Sequence, residues 1–170
     1  MKKMMHVMKF VVITAIVITM NSCSADTADG ANDSTTTKAL VENYSYNTTE
    51  LETMKLINDY RVSVGLNALE RINHISFKCE EHNKYMIDNN VVNHNDFTLR
   101  SDDLIKVLGA TRVGENVAYN YITSQAAVRA WLDSPGHKEN IEGNYTHFGL
   151  SVTTDAKTGK KYYTNIFIKI

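Results

Sequence analysis

Ser134-Pro135-Gly136-His137-Lys138-Glu139-Asn140-Ile141 contains the only proline of the chain, and a histidine follows it two residues later. Just before it, Ala127, Val128, Trp131 and Leu132 recur at helical spacing and predict a helix from about Ser124 to Leu132. The proline and glycine predict a turn that ends this helix and at once presents His137. Further upstream, Gly114-Glu115-Asn116 sets a carboxylate beside an amide ahead of an apolar step. Two turns that each deliver a polar, proton-exchanging side chain are costly unless those side chains meet partners. They are the best lead to a site.

Working outward, Thr49 with Glu52 three residues later fits a capping box. Leu51, Met54, Ile57 and Val64 then predict a first helix that ends at Gly65. A second helix is expected over Asn73–Asn89, with Ile75, Cys79, His82 and Met86 on one stripe. A third is expected over Ser101–Leu108, capped by Ser101 and ended by Gly109. Val117-Ala118-Tyr119 is a short strand candidate. Phe148–Thr153 and Lys161–Ile168 alternate around the turn-like Asp155–Gly159 and predict an antiparallel hairpin. Helices first and a hairpin last predict an α+β layered domain over residues 48–170.

The 170 residues leave room for one domain after targeting segments, and 43% hydrophobic residues suffice for one core. A net charge of −1, with no basic stripe among aromatics, argues against a nucleic-acid partner. Lys2, Lys3 and Lys9 precede an apolar run from Phe10 to Met20, shorter than the roughly 20 residues a membrane-spanning helix needs. That is the pattern of a secretory signal. It ends in Met20-Asn21-Ser22-Cys23, which resembles a bacterial lipobox. Residues 1–23 therefore read as a lipoprotein signal peptide, with Cys23 as the lipidation site and the membrane as a partner. The competing readings are a plain signal peptide cut elsewhere and an uncleaved anchor. Ser24, following Cys23, resembles sorting to an outer membrane, and the envelope surface is the expected location. Residues 24–47, rich in Ser, Thr, Asp, Asn and Ala, read as a flexible tether. Cys79 is left as a small buried thiol.

Asn93-His94, Gly114-Glu115-Asn116-Val117-Ala118, the run from Trp131 to Ile141, and Phe148-Gly149-Leu150 occur in this order. The ordered set resembles the CAP superfamily of SCP-like extracellular proteins, and is most similar to its short bacterial branch. The resemblance covers about Thr49 to Ile170. It implies a three-layer α-β-α sandwich around a mainly antiparallel sheet, with an open cleft that in animal and plant members holds two histidines and two glutamates. By motif, His94, Glu115 and His137 take three of those positions. The fourth falls after Trp131, where Leu132, Asp133 and Ser134 stand, so the resemblance implies a triad. Family members are most often credited with sterol, lipid and protein binding.

Two imidazoles and a carboxylate suit three roles. They can ligate a divalent metal such as zinc through His94, His137 and Glu115, with Asn116 orienting a histidine. A His-Glu pair can act as general base for a hydrolase of peptide or envelope polymer, with Ser134 as a remote nucleophile or simply a helix-ending serine. The cluster can also just hold the fold. Asn140 is expected to tie the turn after His137. His82 reads as a satisfied core histidine, His74 as solvated, His147 as a surface residue, and Trp131 as a core anchor. Tyr119, Tyr121, Tyr162 and Tyr163 read as packing or as cleft lining. Three functions stay open: an envelope module binding lipid, glycan or peptide; a hydrolase; and a structural or adhesion protein with an inert cleft.

Overall fold

The computed structural model describes residues 39–170. The expected signal peptide, Cys23 and the expected tether up to residue 38 lie outside the described residues. The chain runs α1 (Thr48–Ser63), β1 (Glu70–Arg71), α2 (Asn73–Asn89), α3 (Phe97–Leu108), β2 (Arg112–Tyr119), α4 (Ser124–Asp133), α5 (Pro135–Ile141), β3 (His147–Thr154) and β4 (Lys161–Lys169). The sheet order is β1-β3-β4-β2. β4 pairs antiparallel with β3 and β2, and only the two-residue β1 runs parallel to its neighbour. This is the α+β architecture expected, with the hairpin at the centre of the sheet.

Strand alternation builds the layers. On β4, Tyr163 and Phe167 join Trp131, Ile57 and Ile141 in a core shared with α1, α4 and α5. Ile166 and Ile168 point the other way, onto Ile75, Cys79 and Leu104 of α2 and α3. The contact between α2 and β3 is close enough to require glycine: a Cβ on Gly149 would lie 2.5 Å from Ile75 Cβ and would also strike the Ser76 backbone. A methyl there would drive α2 off the sheet.

Several boundaries differ from the sequence expectation. The capping box of α1 is Asn47 with Glu50, not Thr49 with Glu52. Both frames carry the pattern, but Glu50 is also bound by Tyr44, Ser151 and the Val152 amide, so burial selects that frame. Glu52 instead accepts from Ser124 and Gln125 at the start of α4. The buried side of α1 is Glu50, Thr53, Met54, Ile57 and Arg61, while Leu51 and Val64 are exposed. α3 starts at Phe97, earlier than Ser101. β2 begins at Arg112, well before the expected Val117. The proline-glycine segment is not a turn but the start of α5, with Pro135 in the first helical turn, where its missing N–H costs nothing.

The stretch assigned to the end of the tether is held against the domain. The Val41 amide donates to His74 Nδ1 at 3.0 Å, Tyr46 OH reaches Asn73 and Ser76, and Asn47 reaches the Val152 carbonyl. His74 is therefore not solvated: it is buried, with Nε2 2.9 Å from Asp103 Oδ2.

Candidate functional site

Glu115 sits on β2, on the face that looks toward α2 and α3, and its side chain is 1% exposed. A bare carboxylate there would be costly, and two neighbours resolve it. Arg100, in the early turns of α3, forks onto it, with Nε 2.9 Å from Oε2 and an Nη2 2.9 Å from Oε1. His94 Nδ1 lies 2.8 Å from Oε1. The remaining Arg100 nitrogen donates to the Asn95 carbonyl at 2.7 Å, which ties the His94 loop to the same guanidinium. Burial alone would raise the pKa of Glu115. The hydrogen bonds from His94 and Arg100, with the Arg100 charge, outweigh burial and hold it below the ordinary glutamate value. An ionised carboxylate only accepts, so His94 Nδ1 carries a proton. His94 is half exposed, so Nε2 is the nitrogen left for an outside partner.

His137 comes from the other side of the sheet edge, on α5. Asn116 fixes it through the backbone, donating to the His137 carbonyl at 2.9 Å rather than to the ring. Asn140 does not close a local turn. It reaches β2 and donates to the Glu115 carbonyl and to Asn116 Oδ1. Trp131 Nε1 donates to the Val117 carbonyl. β2 has only one strand neighbour, so these two side chains satisfy carbonyls along its free edge and close it to other strands. The tryptophan and the asparagine thus seat α4 and α5 on β2, and with them His137.

Beside His137 lies a cavity of about 330 Å³ walled by Val92, Tyr119, Tyr121, Trp131 and Ser134. Burial, then the nearby charge of His94, lowers the pKa of His137, so the ring facing this cavity is neutral near pH 7. Ser134 N-caps α5 without a side-chain capping bond. Tyr119 and Tyr121 line the cavity, whereas Tyr163 is core and its hydroxyl donates to the Tyr121 carbonyl.

Asp133, the one acidic side chain near the fourth position, does not turn inward. Asp133 is 75% exposed and faces Arg129. Both oxygens of Glu115 accept hydrogen bonds, Oε1 from His94 and Arg100 and Oε2 from Arg100. Among the described residues, no group of three His, Cys, Asp or Glu side chains is arranged to hold a metal ion. Arg100 was missing from the sequence analysis because the α3 start was placed after it. Its signal was available only as an arginine three to four residues after Asp96 and Phe97. His82 is buried as expected, but it also belongs to this neighbourhood, its Nε2 bonded to the Asn93 carbonyl at 2.8 Å.

A sequence model of the cysteine-rich secretory protein family (CAP) matches residues 54–167. The membrane protein YlbC of Bacillus subtilis (strain 168), itself uncharacterized, is 35% identical over 126 residues, covering 72% of this chain and 35% of that protein. YkwD of the same organism, also uncharacterized, is 31% identical over 134 residues, covering 76% of this chain and 51% of YkwD. The chain thus spans about half or less of the length of these relatives. Among solved structures, an extracellular SCP-domain protein from Bacillus anthracis str. Ames superposes with a TM-score of 0.62 at 31% identity, over 72% of this chain and 40% of that one. The match over residues 54–167 and the relatives above 30% identity show the family, and the chain belongs to the cysteine-rich secretory protein family.

Proposed function

We propose that this chain is an envelope-anchored binding module that holds an uncharged, largely apolar group of a lipid, glycan or peptide in the cavity beside His137. The observation that carries this reading is the open, aromatic-walled cavity lined by His137; the Arg100–Glu115 fork meanwhile occupies both oxygens of the carboxylate. Glu115 is committed to a guanidinium and supplies neither a free base nor a free metal donor. His137 and Ser134 supply hydrogen bonds within walls that are otherwise apolar, the usual makeup of a small-ligand site.

Trp131 is the only tryptophan and stands in the cavity wall, so its fluorescence reports occupancy. Titration with a medium-chain fatty acid, a muropeptide fragment or an apolar tripeptide is expected to shift its emission saturably for one of the three. His137→Ala is expected to weaken that ligand about tenfold, the loss of one buried hydrogen bond. Flat titrations with all three would leave an inert domain. One zinc per chain retained by tag-free protein would mean that the Arg100 fork opens, and would return Glu115 to metal binding.

A hydrolase is the second reading, favoured by the uncapped hydroxyl of Ser134 on the same wall as a neutral His137. Turnover of peptide or muropeptide libraries that disappears in Ser134→Ala would establish it.

Anchoring rests on Cys23 and on relatives described as extracellular or membrane proteins. Cys23→Ala is expected to move the protein from the membrane to the soluble fraction, and wild type is expected to gain the mass of a lipid. Unlipidated wild type would remove the anchor from this reading.

A further inference from the structure

The loop between β2 and α4 presents an apolar side chain to solvent on a fixed support. Ile122 is 82% exposed, the highest value among the large apolar side chains of the described residues. A lone exposed isoleucine carries no argument by itself. Here the backbone around it is held from β4. The Asn120 amide donates to the Lys161 carbonyl at 2.7 Å, Tyr163 Oη to the Tyr121 carbonyl at 2.8 Å, and Lys161 Nζ to the Ile122 carbonyl itself at 2.9 Å. Thr123 then caps α4 by accepting from the Ala126 amide. The isoleucine is thus displayed by the fold rather than left over in a loose segment.

The surroundings of Ile122 are amphipathic. Tyr119 and Tyr121 precede it, half-buried, and both also wall the cavity beside His137. Val92, on the same wall, is 48% exposed. Tyr119 packs on Tyr162 with ring centres 4.7 Å apart, and Lys160 Nζ stands 5.6 Å from the centre of the Tyr119 ring. The turn between β3 and β4 adds charge at this end of the sheet. Residues 155–161 hold Lys157, Lys160 and Lys161 against one carboxylate, Asp155. Asp155 is engaged within the turn, accepting from the Lys157 amide and the Thr158 hydroxyl. The local charge is therefore positive, in a chain whose net charge is −1. An apolar tip, tyrosines at its base and lysines around it match the layers of a lipid bilayer: acyl chains, interface and anionic headgroups.

We propose that this end of the sheet docks on an anionic phospholipid bilayer. Ile122 enters the acyl boundary, Tyr119 and Tyr121 lie at the interface, and Lys157, Lys160 and Lys161 pair with headgroup phosphates. Docking sets the tyrosine side of the His137 cavity against the lipid. An apolar ligand then reaches the cavity from the bilayer without crossing water. That consequence, unlike the docking itself, rests on the binding role given to the cavity above.

The test is hydrogen exchange of the full chain, read by mass spectrometry, on vesicles of phosphatidylcholine and on vesicles that also contain phosphatidylglycerol. Peptides spanning 119–123 and 155–161 are expected to gain protection with phosphatidylglycerol and not without it, while α2 is unchanged. Two variants alter only exposed side chains and leave the N-terminal residues as they are, so they separate docking of the domain from any attachment through that terminus. Ile122→Asn is expected to abolish the gain. Lys157→Ala with Lys160→Ala removes two headgroup contacts worth about fivefold each in docking, and is expected to bring exchange close to that on phosphatidylcholine alone. Lys161 is kept, because it holds the Ile122 carbonyl. No gain with phosphatidylglycerol, an equal gain on the neutral vesicles, or a gain that survives either variant would each overturn the proposal. The readout needs no ligand in the cavity, so failure here is distinct from flat Trp131 titrations.

Discussion

Arg100→Met is expected to destabilise the domain by about 3–5 kcal/mol, the cost of stranding one member of a buried ion pair. The side chains are 10% and 1% exposed, so water cannot take the place of the guanidinium. Methionine fills most of the volume, which confines the loss to charge and hydrogen bonding. Urea unfolding at pH 7 measures it. The double variant Arg100→Met, Glu115→Gln is expected to recover a large part, because it removes the stranded charge along with its partner.

The pH dependence gives an independent check on the cause. In the wild type the folded pKa of Glu115 is depressed. Its contribution is then complete above the ordinary glutamate value and is lost as pH falls through the folded value. In Arg100→Met, the hydrogen bond and charge of Arg100 are lost while burial remains, so the pKa of Glu115 rises. Protonation then relieves the variant while it costs the wild type. The deficit between the two is expected to shrink steadily from pH 7 to pH 4, and a constant deficit would assign the loss to packing instead.

The parts of this fold that were legible in the sequence share one property: their pattern is set by apolar periodicity. The bounds of α2, the body of α4 and the β3–β4 hairpin follow from it directly. The misread parts are those where buried polar groups decide. α1 buries Glu50 and Arg61 while exposing Leu51, so its apolar residues pointed to the wrong face. The α3 start is fixed by Asp96 in the left-handed region rather than by a capping side chain, so Ser101 looked like the better cap. That one displacement hid Arg100. His94, Glu115 and His137 were identifiable from motif order alone. The link between His94 and Glu115 follows from the strand face, but the guanidinium that neutralises Glu115 follows only from where α3 begins. His74 was misjudged for the same reason: its partners, Val41 and Asp103, are distant in sequence.

Arg61→Leu is the other substitution with a large expected effect, and it connects the buried charge of α1 to the placement of His137. Arg61 is fully buried, yet among the described residues no carboxylate forms an ion pair with it. Its Nε donates to the Asn67 carbonyl at 2.9 Å, and one Nη donates to the carbonyls of Ile141 at 2.6 Å and Gly143 at 3.0 Å. Ile141 ends α5, so this guanidinium satisfies carbonyls that a helix C-terminus otherwise leaves unpaired and opposes the negative end of the helix dipole. Leucine would strand the buried Ile141 carbonyl and leave the partly buried Asn67 and Gly143 carbonyls to water, so a loss of about 3 kcal/mol is expected. Arg61→Lys is expected to recover only part, since an ammonium cannot serve the Asn67 and Ile141 sides in the same fork geometry. α5 also carries His137, so Arg61→Leu should lower amide protection across Pro135–Ile141 more than across α2. Hydrogen exchange under native conditions reads this directly, and uniform loss of protection over both helices would show that Arg61 stabilises the domain without specifically holding the helix that presents His137.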